Sequence, residues 1–379
     1  MIVNKKCVGI DDIKRGFICK SKKITKCLIL FFLVLCLFSC SKKNFPEETV
    51  VDETTITDDV IVNDDEENTI VPDDTIPKEY EIEAVEDGYI VSYASDNYYR
   101  YGPSIMTYED GSMDAWFSAP GNSGSQWDWI TYRHSDNGVD WSSEEIVLKP
   151  TPGSKDQCSV CDPGVIYFGG YYYLAYTATD YYEGKGTYNM AFVARSKYPD
   201  GPFEKWNGTG WGGNPEPIIF YDGGKDNWGI GEVSFVIDEE DLFIYFSYID
   251  IRDTYIGLCK ADMTDDWPAT IRFKGPVLYQ LNHDSVEVVY DSNLKTYLAF
   301  TVDGRLLEGS KLVVYSSANG KDFQEIASSE EILEDYSHNL GIAKDEKGRI
   351  DTSNPLLLGY AYGKDWGRWN TKFQYFTLK

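Results

Sequence analysis

Three acidic side chains hold matching places in this chain. Asp162, Glu232 and Glu287 each open a short apolar run that is followed by a tight turn and a second apolar run. Gly102 and Asn339 hold the same place in two further copies, and the five openings are 60, 70, 55 and 52 residues apart. Carboxylates drawn together in a narrow space are suited to acid–base chemistry. Mutual repulsion raises the pKa of at least one, which keeps a proton to give, while another stays ionised and can take a proton from water. Arg100, two residues before Gly102, is placed to neutralise part of that charge or to grip a carboxylate on a ligand with its forked guanidinium.

The elements that would gather these groups are short strands. From residue 88 onward, runs rich in Tyr, Phe, Val and Ile alternate with clusters of Gly, Asn, Asp and Pro, as in Tyr171-Tyr-Tyr-Leu-Ala-Tyr176 and Leu242-Phe-Ile-Tyr-Phe-Ser-Tyr248. No stretch of a dozen residues carries a 3.6-residue apolar period with caps. The repeat spacing suits four-stranded blades, which predicts an all-β fold: one five-bladed β-propeller over residues 88–379. In a propeller the first strand of every blade lines the central channel. The five openings would therefore meet at one mouth.

The run Asp162-Pro-Gly-Val-Ile-Tyr-Phe-Gly-Gly-Tyr-Tyr-Tyr-Leu-Ala-Tyr-Thr177 resembles a blade opening of the five-bladed propeller glycoside hydrolases, the arabinofuranosidase and xylosidase group of family 43 and its relatives. Ala194-Arg-Ser-Lys-Tyr-Pro-Asp-Gly-Pro-Phe203 is similar to the segment that ends the third strand of a blade in those enzymes. Asn137-Gly-Val-Asp-Trp141 and Asn319-Gly-Lys-Asp-Phe323 resemble the Asp-box turns of sialidase-type propellers. The resemblance covers about residues 95–379. It implies hydrolysis of an extracellular glycan, with inversion at the anomeric carbon. Glu232 would be the general acid, and Asp162 the second carboxylate that tunes and orients it.

The family's base is an Asp before Pro at the first opening, where this chain has Gly102. Asp96, Glu287 and Asp162 itself are the rival bases. The alternative is a glycan-binding surface protein of hydrolase descent that does not cut. No cofactor is required. The resemblance allows a structural calcium ion in the channel, with His338 from the last blade as its metal-side residue. Sugars also bind flat apolar platforms and hydrogen-bonding side chains, so Trp127, Trp228, Trp366 and Asn339 join Arg100 as candidate substrate contacts.

Sixty-two acidic against 35 basic residues give a net charge of −27, which argues against a nucleic-acid partner. The basic groups crowd into the start of the chain. Residues 1–40 carry eight basic and two acidic side chains, and Leu28 to Phe38 is an apolar run too short to span a bilayer comfortably. It ends in Leu37-Phe38-Ser39-Cys40, which looks like a bacterial lipobox with Cys40 as the lipidated residue. Residues 1–39 read as a lipoprotein signal peptide. Residues 40–87 read as a disordered tether, holding 17 acidic and three basic groups from position 41. The expected protein is a monomer tied by lipid to the bacterial envelope, outside the cytoplasmic membrane. Cys158 and Cys161, exported together, are expected to form a local disulfide.

Overall fold

The computed structural model describes residues 79–379 apart from 95–97, 124–125, 183–185, 224–226 and 280–284. The signal segment, Cys40, most of the acidic tether and Asp96 lie outside the described residues. Regular structure among the described residues is β throughout, save one 3-10 turn at Trp267–Thr270. In chain order the strands are β1 (Ile82–Ala84), β2 (Tyr89–Ser92), β3 (Tyr101–Thr107), β4 (Met113–Ser123), β5 (Gln126–Ser135), β6 (Glu145–Leu148), β7 (Ser159–Phe168), β8 (Tyr171–Tyr182), β9 (Gly186–Ser196), β10 (Glu204–Lys205) and β11 (Gly229–Asp238). They continue as β12 (Asp241–Ile249), β13 (Thr254–Asp262), β14 (Arg272–Tyr279), β15 (Glu287–Asp291), β16 (Thr296–Asp303), β17 (Lys311–Ser317), β18 (Gln324–Ser329), β19 (Ser337–Ile342), β20 (Arg349–Ile350), β21 (Leu356–Tyr362) and β22 (Asn370–Leu378).

These strands make four sheets. One is the antiparallel meander β3–β4–β5–β6, and another is β15–β16–β17–β18 with β20 added parallel to β15. The largest sheet is two antiparallel meanders, β7–β8–β9 with β10 and β11–β12–β13–β14, joined by a single parallel pairing of Gly229 with Asn189. The fourth is β19–β21–β22, and both β1 and β2 lie along β22. Residues 82–84, expected in the tether, therefore belong to the sheet, with Ile82 paired to Leu378 and buried. They stitch the start of the described chain to its last strand.

The apolar runs are near-continuous because both faces of these sheets are covered, as in the central six residues of β12, Leu242 to Ser247, all buried. The two Asp-box-like turns fold alike. Asn137 Oδ1 accepts from the amides of Val139 and Asp140, and its Nδ2 donates to Asp140 Oδ2 at 2.9 Å. Asn319 repeats this with Lys321 and Asp322. Each turn links the third and fourth strands of its meander.

Inner strands pack edge to edge with almost no side chain between them. A Cβ on Gly164 of β7 would lie 1.9 Å from the Val233 carbonyl of β11, and one on Gly341 of β19 the same distance from the Pro103 carbonyl of β3. The segment after β19 crosses beneath all the other inner strands. Carbonyls of Lys344, Glu346, Lys347 and Gly348 accept from the amides of Thr107, Tyr167, Ile237 and Tyr290, at 2.8 to 3.0 Å. These four donors sit on or beside the far ends of β3, β7, β11 and β15, so the segment floors the space those strands enclose.

The first expected outcome concerns this approach. Gly164→Ala should cost more than about 3 kcal/mol in urea unfolding, because the atom it strikes is backbone with no rotamer to yield. A loss below about 1 kcal/mol would mean that the inner strands can spread.

Candidate active site

Four inner strands begin with the same irregularity. Pairing slips between Tyr101 and Ser104 in β3, Cys161 and Gly164 in β7, Gly231 and Ser234 in β11, and His338 and Gly341 in β19. The residue inside each slip has left-handed backbone: Gly102 at φ 58°, Asp162 at 48°, Glu232 at 51° and Asn339 at 45°. A bulge of this kind re-aims one side chain out of the alternating pattern. Left-handed φ is strained for a residue such as Glu, and strained backbone of this kind clusters at functional sites. Hydroxyls of neighbouring strands hold two of the bulges, since the Asp162 amide donates to Ser118 Oγ and the Glu232 amide to Thr177 Oγ1, both at 2.8 Å.

The re-aimed side chains meet. Gly102, Asp162, Glu232, Ser285, Glu287 and Asn339 border one cavity, about 310 Å³ with its open mouth included. Asn339 Nδ2 lies 3.2 Å from Glu232 Oε1 and 3.4 Å from Asp162 Oδ1, so one amide bridges the two carboxylates. All three residues are buried. Cys161 Sγ donates to Asp162 Oδ2 at 3.3 Å, and His338 Nδ1 is 2.7 Å from Asn339 Oδ1. The His338 ring meets the edge of Trp369 at 4.6 Å between centroids.

Glu287 is in the cavity but in a different register from the one its sequence position suggests. It pairs with Phe300 as Ser234 pairs with Tyr245, so Ser285 takes the place equivalent to Asp162 and Glu232. The physical reason is the hairpin: Asp291 pairs with Thr296 as Asp238 pairs with Asp241, and counting back from that turn sets Glu287 level with Ser234. Glu287 accepts from Ser234 Oγ and forms a buried ion pair with Lys344. Its charge is thereby committed to the lower part of the cavity.

The remaining expected contacts fall in varied places. Arg100 is buried in a two-bonded pair with Glu144 and stacks on Tyr98 at 4.3 Å, so its fork is occupied by the protein itself. Trp127 is in β5 rather than in a loop, and Trp228 immediately precedes β11; both are half-buried. Trp366 is 58% exposed and meets Trp369 edge-on, continuing the ring cluster outward from His338. The expected Cys158–Cys161 disulfide is not formed, because Cys161 carries a free thiol. Its sulfur is turned to Asp162 Oδ2 and to the Thr177 carbonyl instead.

Among the described residues no three His, Cys, Asp or Glu side chains are grouped to hold a metal ion, and His338 turns Nδ1 to Asn339 rather than to a carboxylate.

One carboxylate escapes the sequence reading. Asp128 of β5 accepts from Tyr99 Oη at 2.6 Å and Ser159 Oγ at 2.9 Å, and lies beside the Tyr101 hydroxyl. Burial pushes its pKa up to about 6, against the opposing effect of these hydroxyl donors. Burial and the neighbouring Asp162 and Asp128 charges also hold the Cys161 thiol protonated. The available signal for Asp128 was its place between Trp127 and Trp129 in a hairpin long enough to rise past the start of β3, but only the fold shows what it faces.

No protein-family model matches this chain, and a search of curated protein sequences finds no match. Solved structures do. A family 117 glycoside hydrolase from the marine bacterium Zobellia galactanivorans is 15% identical over 79% of this chain and 90% of that one, with a TM-score of 0.57. An α-L-arabinofuranosidase from Podospora anserina is 12% identical over 79% and 97%, at 0.53. An endo-arabinase from Bacteroides thetaiotaomicron is 14% identical over 78% and 99%, at 0.53. Such neighbours are propeller glycoside hydrolases, and at these identities the likeness establishes a propeller-like hydrolase fold and nothing finer.

Asp128 also makes stability depend on pH. Its folded pKa, about 6, lies above the ordinary carboxyl value, so the folded state binds this proton more tightly than the unfolded chain does. The stabilisation is complete below about pH 4 and is lost as pH rises through about 6, a change of about 2–3 kcal/mol. Asp128→Asn should therefore melt higher than wild type at pH 8, with the difference closing at pH 4. Equal melting temperatures at pH 8 would show that the carboxylate bears no such penalty.

Proposed function

We propose that this protein is a glycoside hydrolase acting on a glycan outside the cell, with Glu232 as the proton donor and Asp162 as the carboxylate that orients it. The observation carrying this reading is the Asn339 amide bridging Glu232 and Asp162 at the mouth of a floored cavity. Such hydrolysis needs one carboxyl to protonate the leaving oxygen and a second group to activate water or attack carbon. The hydrolase neighbours support the same class, and two of them act on arabinose-containing glycans by name. Arabinofuranosides are therefore the first substrates to try.

In this reading the four sheets are five blades, the eight-stranded sheet counting as two, and β1 and β2 join the last blade. Trp366 offers the sugar an exposed ring beside the cavity. Inversion is the expected stereochemistry. The domain would be a monomer, carried on an acidic tether from a lipid on Cys40 after removal of residues 1–39, and would face outward from the bacterial envelope.

The test is a reducing-end assay of the full-length protein in detergent, on aryl glycosides and on plant, algal and host glycans, with Glu232→Gln alongside. Turnover should fall at least about a thousandfold in the variant while its melting temperature stays within a few degrees. Unchanged turnover would remove Glu232 from the mechanism. Saturable glycan binding with no cleavage by the wild type would favour the non-cutting alternative, which Gly102 in the base's place motivates.

A further inference from the structure

Gly102 leaves the first inner strand without a side chain where the resemblance expects the water-activating carboxylate. The space is there: a Cβ at this position would stand 3.4 Å from Asp162 Oδ1 and 3.5 Å from Ser118 Oγ, an ordinary contact. The carboxylates of the cavity cannot simply take over. Glu287 is held by Lys344. Asp162 is tied to the acid Glu232 through the one amide nitrogen of Asn339. An inverting site separates its two carboxyl groups by roughly 6.5–9.5 Å to leave room for water, and those two contacts laid end to end only just reach the low end of that range. A carboxylate set beyond Asp162 has that room.

The neighbour of Gly102 points there. The Tyr101 ring packs edge-on against Trp369 at 5.4 Å and tilts over His338 at 6.1 Å. Its hydroxyl lies beside Asp128, Cys161 and Asp162. Behind it, Asp128 is fixed by Tyr99 and Ser159, from the segment before β3 and from β7. A carboxylate thus stands one hydroxyl away from the space that Gly102 vacates.

We propose that Asp128, acting through the Tyr101 hydroxyl, supplies the base that Gly102 lacks. The inference rests on the hydrolase reading above. In the step, the water oxygen bonds to the anomeric carbon and one of its protons passes to the Tyr101 oxygen as the Tyr101 proton passes to Asp128. The bond from that carbon to the leaving oxygen breaks, and this oxygen takes the Glu232 proton. Asp128 then holds one proton more and Glu232 one fewer, and exchange with solvent restores both.

The experiment compares wild type, Asp128→Asn, Tyr101→Phe and the double variant Asp128→Asn with Gly102→Asp, all full length, on the best substrate of the panel, with NMR of the first-formed anomer. Asp128→Asn and Tyr101→Phe should each lower kcat by at least about 100-fold with KM changed less than about threefold. The double variant should regain at least about tenfold, because the new carboxylate projects from the bulge that already carries Asp and Glu in β7 and β11. Rescue of this kind is a readout that loss of packing would not give. The product should be inverted. Retained configuration would overturn the proposal by making a close carboxylate the nucleophile, and so would near-wild-type kcat in both single variants. If Glu232→Gln is dead while both of these are active, the hydrolase reading stands and only this inference falls. A wild type that cuts nothing overturns both.

Discussion

The structure depends on closure at the floor of the central space. Inner strands that meet through glycine cannot be held apart by side chains, so their spacing has to be set from outside. The segment after β19 does this, lending four backbone carbonyls to the amides at or beside the far ends of β3, β7, β11 and β15. Each is a main-chain bond, and a buried partner left unmade costs about 1–3 kcal/mol. Losing the segment would therefore release several inner strands together. The Lys344–Glu287 pair adds a charge lock above it, with both groups buried. The same crossing covers one end of the space, opposite the side where the bulges lie.

That floor gives the bulges their meaning. A regular strand would alternate its side chains between neighbouring strands. By slipping one residue at φ near +50°, four of the inner strands turn a side chain toward the axis instead. Three of those side chains are polar and the fourth is absent. Asn339 is important because a neutral amide between two acidic groups satisfies an oxygen of each without adding charge. Lys344 and Arg100 are both committed elsewhere, one below the carboxylates and one to Glu144.

The ring cluster ties this centre to the surface. Tyr99, Tyr101, His338, Trp369 and Trp366 touch in sequence, passing from buried residues to a ring that is more than half exposed. Edge-on contacts dominate, which leaves ring faces rather than edges for a ligand. The cluster joins strands from the two ends of the described chain.

By itself the sequence determined the β class and the recurring strand–turn–strand unit, because strand composition and turn chemistry are local and recur at a readable spacing. It also singled out Asp162, Glu232 and Asn339, since a polar residue opening an apolar run is visible without any contact. Tertiary structure decided the rest. The register that puts Ser285 in the place expected for Glu287 depends on how β15 pairs with β16, and pairing is a relation between strands rather than a property of one. Arg100 reads as a free cation until Glu144, forty-four residues on, is folded against it. The cysteine pair looks like a disulfide until the Cys161 thiol is found turned to Asp162 and the Thr177 carbonyl. Asp128 is one acid among many in the sequence. Only packing brings the hydroxyls of Tyr99 and Ser159 onto it, and only burial lifts its pKa toward neutrality, because desolvation is set by everything that surrounds a group and by nothing in its neighbours along the chain.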